Sequence, residues 1–222
     1  MYKRQGYTEE GDVESGGLFY KQRSHALFGT VNMAQHWRHT YDLNYGKRIY
    51  PYVLAIADFW EDFLKFEDGQ YQIYEDAENE KSGFSKNPGM SIALLKNALE
   101  LAIDLSKALK KDKERQTKWQ DIIDHLRALP TWERRGKRFL RGAEEDEKGR
   151  QVFGVSFSMI YPANGVTLNS DSIVLAAGLN TVDAIQQWQH HNATSSFYPA
   201  AVRVGYNPCL LYTSPSPRDY AA

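Results

Sequence analysis

Ile49-Tyr50-Pro51-Tyr52-Val53-Leu54-Ala55-Ile56-Ala57-Asp58-Phe59-Trp60-Glu61-Asp62-Phe63-Leu64 is the stretch from which the rest of the chain can be read. Val53, Ile56, Ala57, Trp60 and Leu64 recur at three- and four-residue steps, the spacing that lines side chains along one stripe of an α-helix. Just upstream, Val31, Ala34, Trp37, Tyr41 and Tyr45 repeat that spacing across residues 30–45. Gly46 lies between the two runs and predicts a break there, folding them back on one another as an antiparallel hairpin.

Further out, residues 66–74 lose the helical period. Asp68-Gly69 is a turn signal, and Tyr71 and Ile73 alternate with Gln70 and Gln72, which predicts a short extended excursion. Asn87-Pro88 combines a helix-capping residue with the residue favoured in a first helical turn, and Ile92, Leu95, Leu99, Ala102 and Leu109 continue a helix over 88–109. Asp112 is expected to cap the next helix, marked by Arg115, Trp119, Ile122, Ile123 and Leu126 and ended by Pro130. Arg135-Gly136 and the acidic run Glu144-Glu145-Asp146-Glu147 read as a surface excursion with a short β-hairpin. Tyr161-Pro162-Ala163-Asn164-Gly165 forces a turn, Asp171 is expected to cap a helix reaching Gln189, and a last helix is expected over 197–206. The fold class that follows is all-α: about six helices in successive antiparallel hairpins, with short β excursions in the loops.

Both ends of the chain read differently from the middle. Met1-Tyr-Lys-Arg-Gln5 and Cys209-Leu-Leu-Tyr-Thr-Ser-Pro-Ser-Pro-Arg-Asp219 look like translated sequencing adapter, so residues 1–5 and 209–222 are expected to be scars and residues 6–208 part of one domain. Without Lys3 and Arg4 the formal charge moves from -1 to -3, while Arg218 and Asp219 cancel. That balance leaves no basic footprint for nucleic acid. The single cysteine, Cys209, falls in the expected scar and says nothing about disulfides. No run approaches the ~20 apolar residues of a membrane span. Aromatic residues make up 13% of the chain, which suits a cleft that stacks on flat apolar faces as well as an aromatic core.

Three places could carry chemistry. Glu75-Asp76-Ala77-Glu78-Asn79-Glu80 follows the extended excursion and precedes the Asn87 cap. A carboxyl on such a loop, beside Tyr71, Tyr74 and Phe84, can have its pKa raised enough to donate a proton near neutrality, although a solvated acidic loop has the same composition. His190, His191 and Asn192 lie at the expected end of a helix; they could hold sugar hydroxyls or a water, or simply favour the negative helix end. Asn32, Gln35, His36, Trp37 and His39 form a row on one helix that reads either as substrate-facing or as a plain polar face. Phosphate loops, nucleophile elbows, dinucleotide fingerprints and clustered cysteines do not occur in the sequence. Neither a metal nor a cofactor is expected.

The order of segments resembles the six-hairpin glycosidases, especially the family ninety-five α-L-fucosidase-like group. The resemblance rests on Phe28-Gly29-Thr30-Val31-Asn32-Met33-Ala34-Gln35-His36-Trp37, on residues 49–64, on residues 74–80, on Ile160-Tyr161-Pro162-Ala163 and on residues 197–206. It implies an (α/α)6 toroid, here partial, and hydrolysis of an oligo- or polysaccharide with inversion. In such enzymes an acid and a base lie ~6.5–9.5 Å apart around a water. The resemblance puts the acid at Glu80 or Glu78 and implies that Tyr74, Asp76, Asn32, Trp37, His190, His191 and Asn192 grip the sugar. It also implies a secreted or periplasmic location. The chain has Tyr74-Glu75-Asp76-Ala77 where fucosidases have a Ser/Pro-rich approach to the acid, and their water-activating Asn/Asp motif is not found in residues 6–25, so the base is expected outside this stretch. Other classes consistent with the residues are a helical carbohydrate-binding scaffold and a polysaccharide lyase using a Tyr/His pair.

Overall fold

The computed structural model describes residues 21–77, 85–146, 156–189 and 194–207. Helices dominate them: α1 (His25–Thr40), α2 (Leu43–Phe63), α3 (Gly89–Leu109), α4 (Arg115–His125), α5 (Ser172–Ile185) and α6 (Thr194–Arg203). Three two-stranded antiparallel sheets join them, made by β1 (Lys65–Glu67) with β2 (Gln70–Gln72), β3 (Ser85–Pro88) with β6 (Ala143–Asp146), and β4 (Thr131–Arg134) with β5 (Lys137–Leu140). The fold is therefore mostly helical with small sheets, rather than wholly helical.

The first helical pair turns where the chain itself supplies the chemistry. Tyr41 takes a left-handed conformation at φ 48°, its N–H bonds the Trp37 carbonyl, and Asp42 caps α2 by accepting from the Asn44 N–H at 2.8 Å. The expected break at Gly46 is thus misplaced by a turn. Gly46 lies inside α2, where a β-carbon would stand 2.9 Å from Trp37 Cζ3 and 3.2 Å from Leu105 Cδ2, so the glycine serves packing instead. Early α2 meets late α1 through Gly46 and Trp37, whereas Arg23, just before α1, lies over the Phe63 ring at the end of α2. The two helices are antiparallel.

Helix α3 is the centre of the molecule. Fifteen of its residues are buried, among them Leu94, Leu95, Leu101 and Leu105, and it packs on α1, α2 and α4. Trp37, Trp60, Trp119 and Ile73 complete this cluster. A second cluster gathers Phe157 and Met159 of a 3-10 turn with Val182 of α5, Phe197 and Ala200 of α6 and Val204 just after it, and Leu129 packs against both.

The β excursions fall where the turn residues put them. Asp68 and Gly69 have φ of 52° and 76°, and Arg135 and Gly136 have 51° and 71°, the left-handed pairs a tight hairpin needs. Asp171 caps α5 as expected, accepting from the Ile173 N–H at 2.8 Å, although the helix ends at Ile185 and not at Gln189. Two other expected caps do different work. Asn87 stays in β3 with φ 51°, and Asp112, at φ 48°, accepts from the Tyr50 hydroxyl at 2.6 Å.

Candidate active site at the paired helix starts

The segment entering residues 78–84 leaves β2 through Ile73, Tyr74 and Glu75, and its stem is closed by backbone bonds between Asp76 and Ser85. The Ser85 N–H donates to the Asp76 carbonyl at 2.9 Å, and the Asp76 N–H donates back at 3.4 Å. The Ala77 N–H adds a bond to the Lys21 carbonyl at 3.0 Å. Asp76 then reaches two helix starts with its side chain. Oδ1 accepts from the Arg23 N–H at 2.6 Å, just ahead of α1, and Oδ2 accepts from the Ser91 hydroxyl at 2.5 Å in the first turn of α3. Both helices thereby begin at the same end of the molecule.

Asp76 is fully buried. Burial pushes its carboxyl up to about 6, against the hydrogen bonds from Ser91 and the Arg23 backbone and the charge of Arg23, which favour the ionised form. It is therefore closed to a sugar, and its expected role as a substrate contact is corrected to an internal one. Trp37 is corrected in the same way. Its ring has no exposed surface and packs against Tyr41 and Gly46, because the stripe that carries it faces the core around α3.

Two expected contacts remain open to solvent. Asn32 is exposed on α1, in a row with Gln35, His36 and His39. Tyr74 is half-buried; its hydroxyl donates to Glu67 Oε2 at 2.6 Å, which raises its pKa, and the Lys86 ammonium lies 5.3 Å over its ring. Glu78 and Glu80, and likewise His190, His191 and Asn192, lie outside the described residues.

On the far side of the stem is a network that sequence reasoning missed. The Asn87 side chain accepts from the Ile73 N–H at 2.8 Å and donates to Gln72 at 2.7 Å and to Glu144 Oε2 at 2.5 Å. Arg127 donates to both oxygens of Glu144, at 2.7 and 3.3 Å, and to Gln70. The Arg127 pair, with Asn87 assisting, holds the Glu144 carboxyl below its ordinary range. These partners lie 14 to 57 residues apart, so only the left-handed Asn87 before a proline left a local trace.

A cleft of about 410 Å³ opens elsewhere, between α3 and α4, lined by Lys107, Gln116, Gln120, Asp121, Asp124 and His125. Among the described residues no three or more His, Cys, Asp or Glu are grouped to hold a metal, and no helix is long and apolar enough to cross a membrane.

The class defined so far is a helical protein in which Asp76 joins the starts of α1 and α3. Residues 18–192 match the glycosyl hydrolase family 95 catalytic domain, and the chain belongs to that family. Comparison with curated proteins finds no match. Family membership implies an (α/α)6 fold, glycoside hydrolase activity of the fucosidase type and a carbohydrate as substrate.

Proposed function

We propose that the chain is an interior part of an (α/α)6 catalytic barrel that hydrolyses an oligo- or polysaccharide with inversion, and that Glu80 or Glu78 is its general acid. The observation that supports this reading is the stem at Asp76 and Ser85, the residues that bracket 78–84 in sequence, whose Asp76 bonds the starts of both α1 and α3 inside the family-matched region. A carboxyl in that connection protonates the departing glycosidic oxygen as water attacks the anomeric carbon from the opposite face. A base outside residues 6–208 takes the water's proton, so charge and atoms balance across the step.

In this reading Asn32, Tyr74, His190, His191 and Asn192 contact sugar hydroxyls, while Trp37 and Asp76 support them from inside. The chemistry needs no metal or cofactor. Residues 1–5 and 209–222 are adapter-derived, and by itself the chain is inactive.

The test expresses the gene at full length from its genomic context and supplies α-L-fucosyl-(1→2)-galactose and other oligosaccharides. Release of new reducing ends, with the inverted anomer first in a proton NMR time course, is the expected result. An ultraviolet-absorbing unsaturated product would replace this reading with a lyase, and glycan binding without turnover would replace it with a scaffold.

A further inference from the structure

We infer that Asp76 is a positioning residue, tying the start of α1 and the first turn of α3 to the Asp76–Ser85 stem from which the acid-bearing residues continue in sequence. The inference rests on the reading that those residues include the proton donor.

The geometry supports it at each contact. Asp76 joins three segments that are far apart in sequence: residue 23 ahead of α1, its own stem, and residue 91 in α3. Its backbone pairs with Ser85, so the side chain and main chain of one residue hold the stem to both helix starts. Neither helix start is capped by its own side chain, at Ser24 or at Pro88. The Asp76 side chain supplies a hydrogen-bonding group beside each of these starts, at Arg23 and at Ser91. Leaving a carboxyl fully out of water is costly unless every oxygen is bonded, and here both are. Burial outweighs those bonds and raises its proton affinity, so the contacts and not a strong preference for the charged form are what the geometry preserves.

A misplaced general acid has a recognisable kinetic signature. Protonation matters for a poor leaving group and hardly at all for a good one, whereas general disorder in the barrel slows both. The experiment therefore compares α-L-fucosyl-(1→2)-galactose with 2,4-dinitrophenyl α-L-fucoside in the full-length enzyme. Asp76→Ala is expected to lower kcat on the disaccharide by roughly 10- to 100-fold with KM changed less than about twofold, and to lower kcat on the activated glycoside less than about threefold. Asp76→Asn, whose amide still accepts from Arg23 and meets the Ser91 hydroxyl, is expected to recover most of the loss. Ser91→Ala, which removes one donor, should give a smaller change of the same kind.

Hydrogen exchange provides a readout that needs no turnover. Asp76→Ala should speed exchange at Arg23, Ala77 and Ser85 and leave mid-α3 and α2 unchanged. Equal losses on both substrates, a loss confined to KM, or unaltered exchange at those amides would overturn the inference. If Glu80→Gln and Glu78→Gln leave turnover intact while exchange still loosens on Asp76→Ala, the clamp stands and the assignment of the acid fails.

Discussion

Asp76 has a thermodynamic consequence at the level of the single residue. Burial raises its carboxyl pKa from 3.8 to about 6, so the folded protein holds that proton more tightly than the unfolded chain does. Stability from this group is greatest below 3.8 and falls as pH rises to about 6, by at most about 3 kcal/mol at ~1.4 kcal/mol per pH unit. An asparagine carries no such charge. The stability of the wild type relative to Asp76→Asn should therefore decline between pH 4 and 6 and level off above, as measured by urea unfolding of the full-length protein at stepped pH. A wild type that gains on the variant as pH rises would contradict the burial. The sequence marked Asp76 as polar and close to the acidic connection, but its role depends on Arg23 and Ser91, which only the fold brings near. Trp37 was legible as part of an apolar stripe, and that stripe is where it lies.

Among the elements, the legible parts were those in which neighbouring residues decide the outcome. Asp68-Gly69 and Arg135-Gly136 form the hairpins they signal, and Asp171 caps α5, because each uses bonds to residues two or three away. Gly46, Asn87 and Asp112 went otherwise because partners distant in sequence compete for them: Trp37 and Leu105 for the space beside Gly46, Ile73 and Glu144 for the Asn87 amide, Tyr50 for the Asp112 carboxyl. Gly46→Ala separates the two influences. Helix propensity favours alanine by ~1 kcal/mol, while a β-carbon 2.9 Å from the Trp37 ring forces core strain of about 1–3 kcal/mol. The variant should be less stable in urea unfolding, with an unchanged m value; a more stable variant would mean that the α1–α2–α3 contact is looser than described.

For the whole molecule, the helical character and the antiparallel α1–α2 pair were readable from periodicity, whereas the division of the core into two clusters was not, since it depends on which helices meet. Large apolar side chains stay exposed on several elements, including Phe59 on α2, Ile173 on α5 and Val202 on α6, at 44%, 56% and 59%. If further barrel helices cover them, residues 6–208 expressed alone should bind a hydrophobic dye, lack near-ultraviolet dichroism and aggregate on concentration. A soluble monomer with a sharp cooperative melt would show instead that these helices need no cover. The claim on which the functional account turns is narrower, and is tested by replacing Glu80 and Glu78 singly with glutamine in the full-length enzyme and measuring kcat on α-L-fucosyl-(1→2)-galactose. The account predicts that one replacement cuts kcat by ~10²–10⁴-fold, the range of a lost proton donor, while the other changes it little; full activity in both would contradict it.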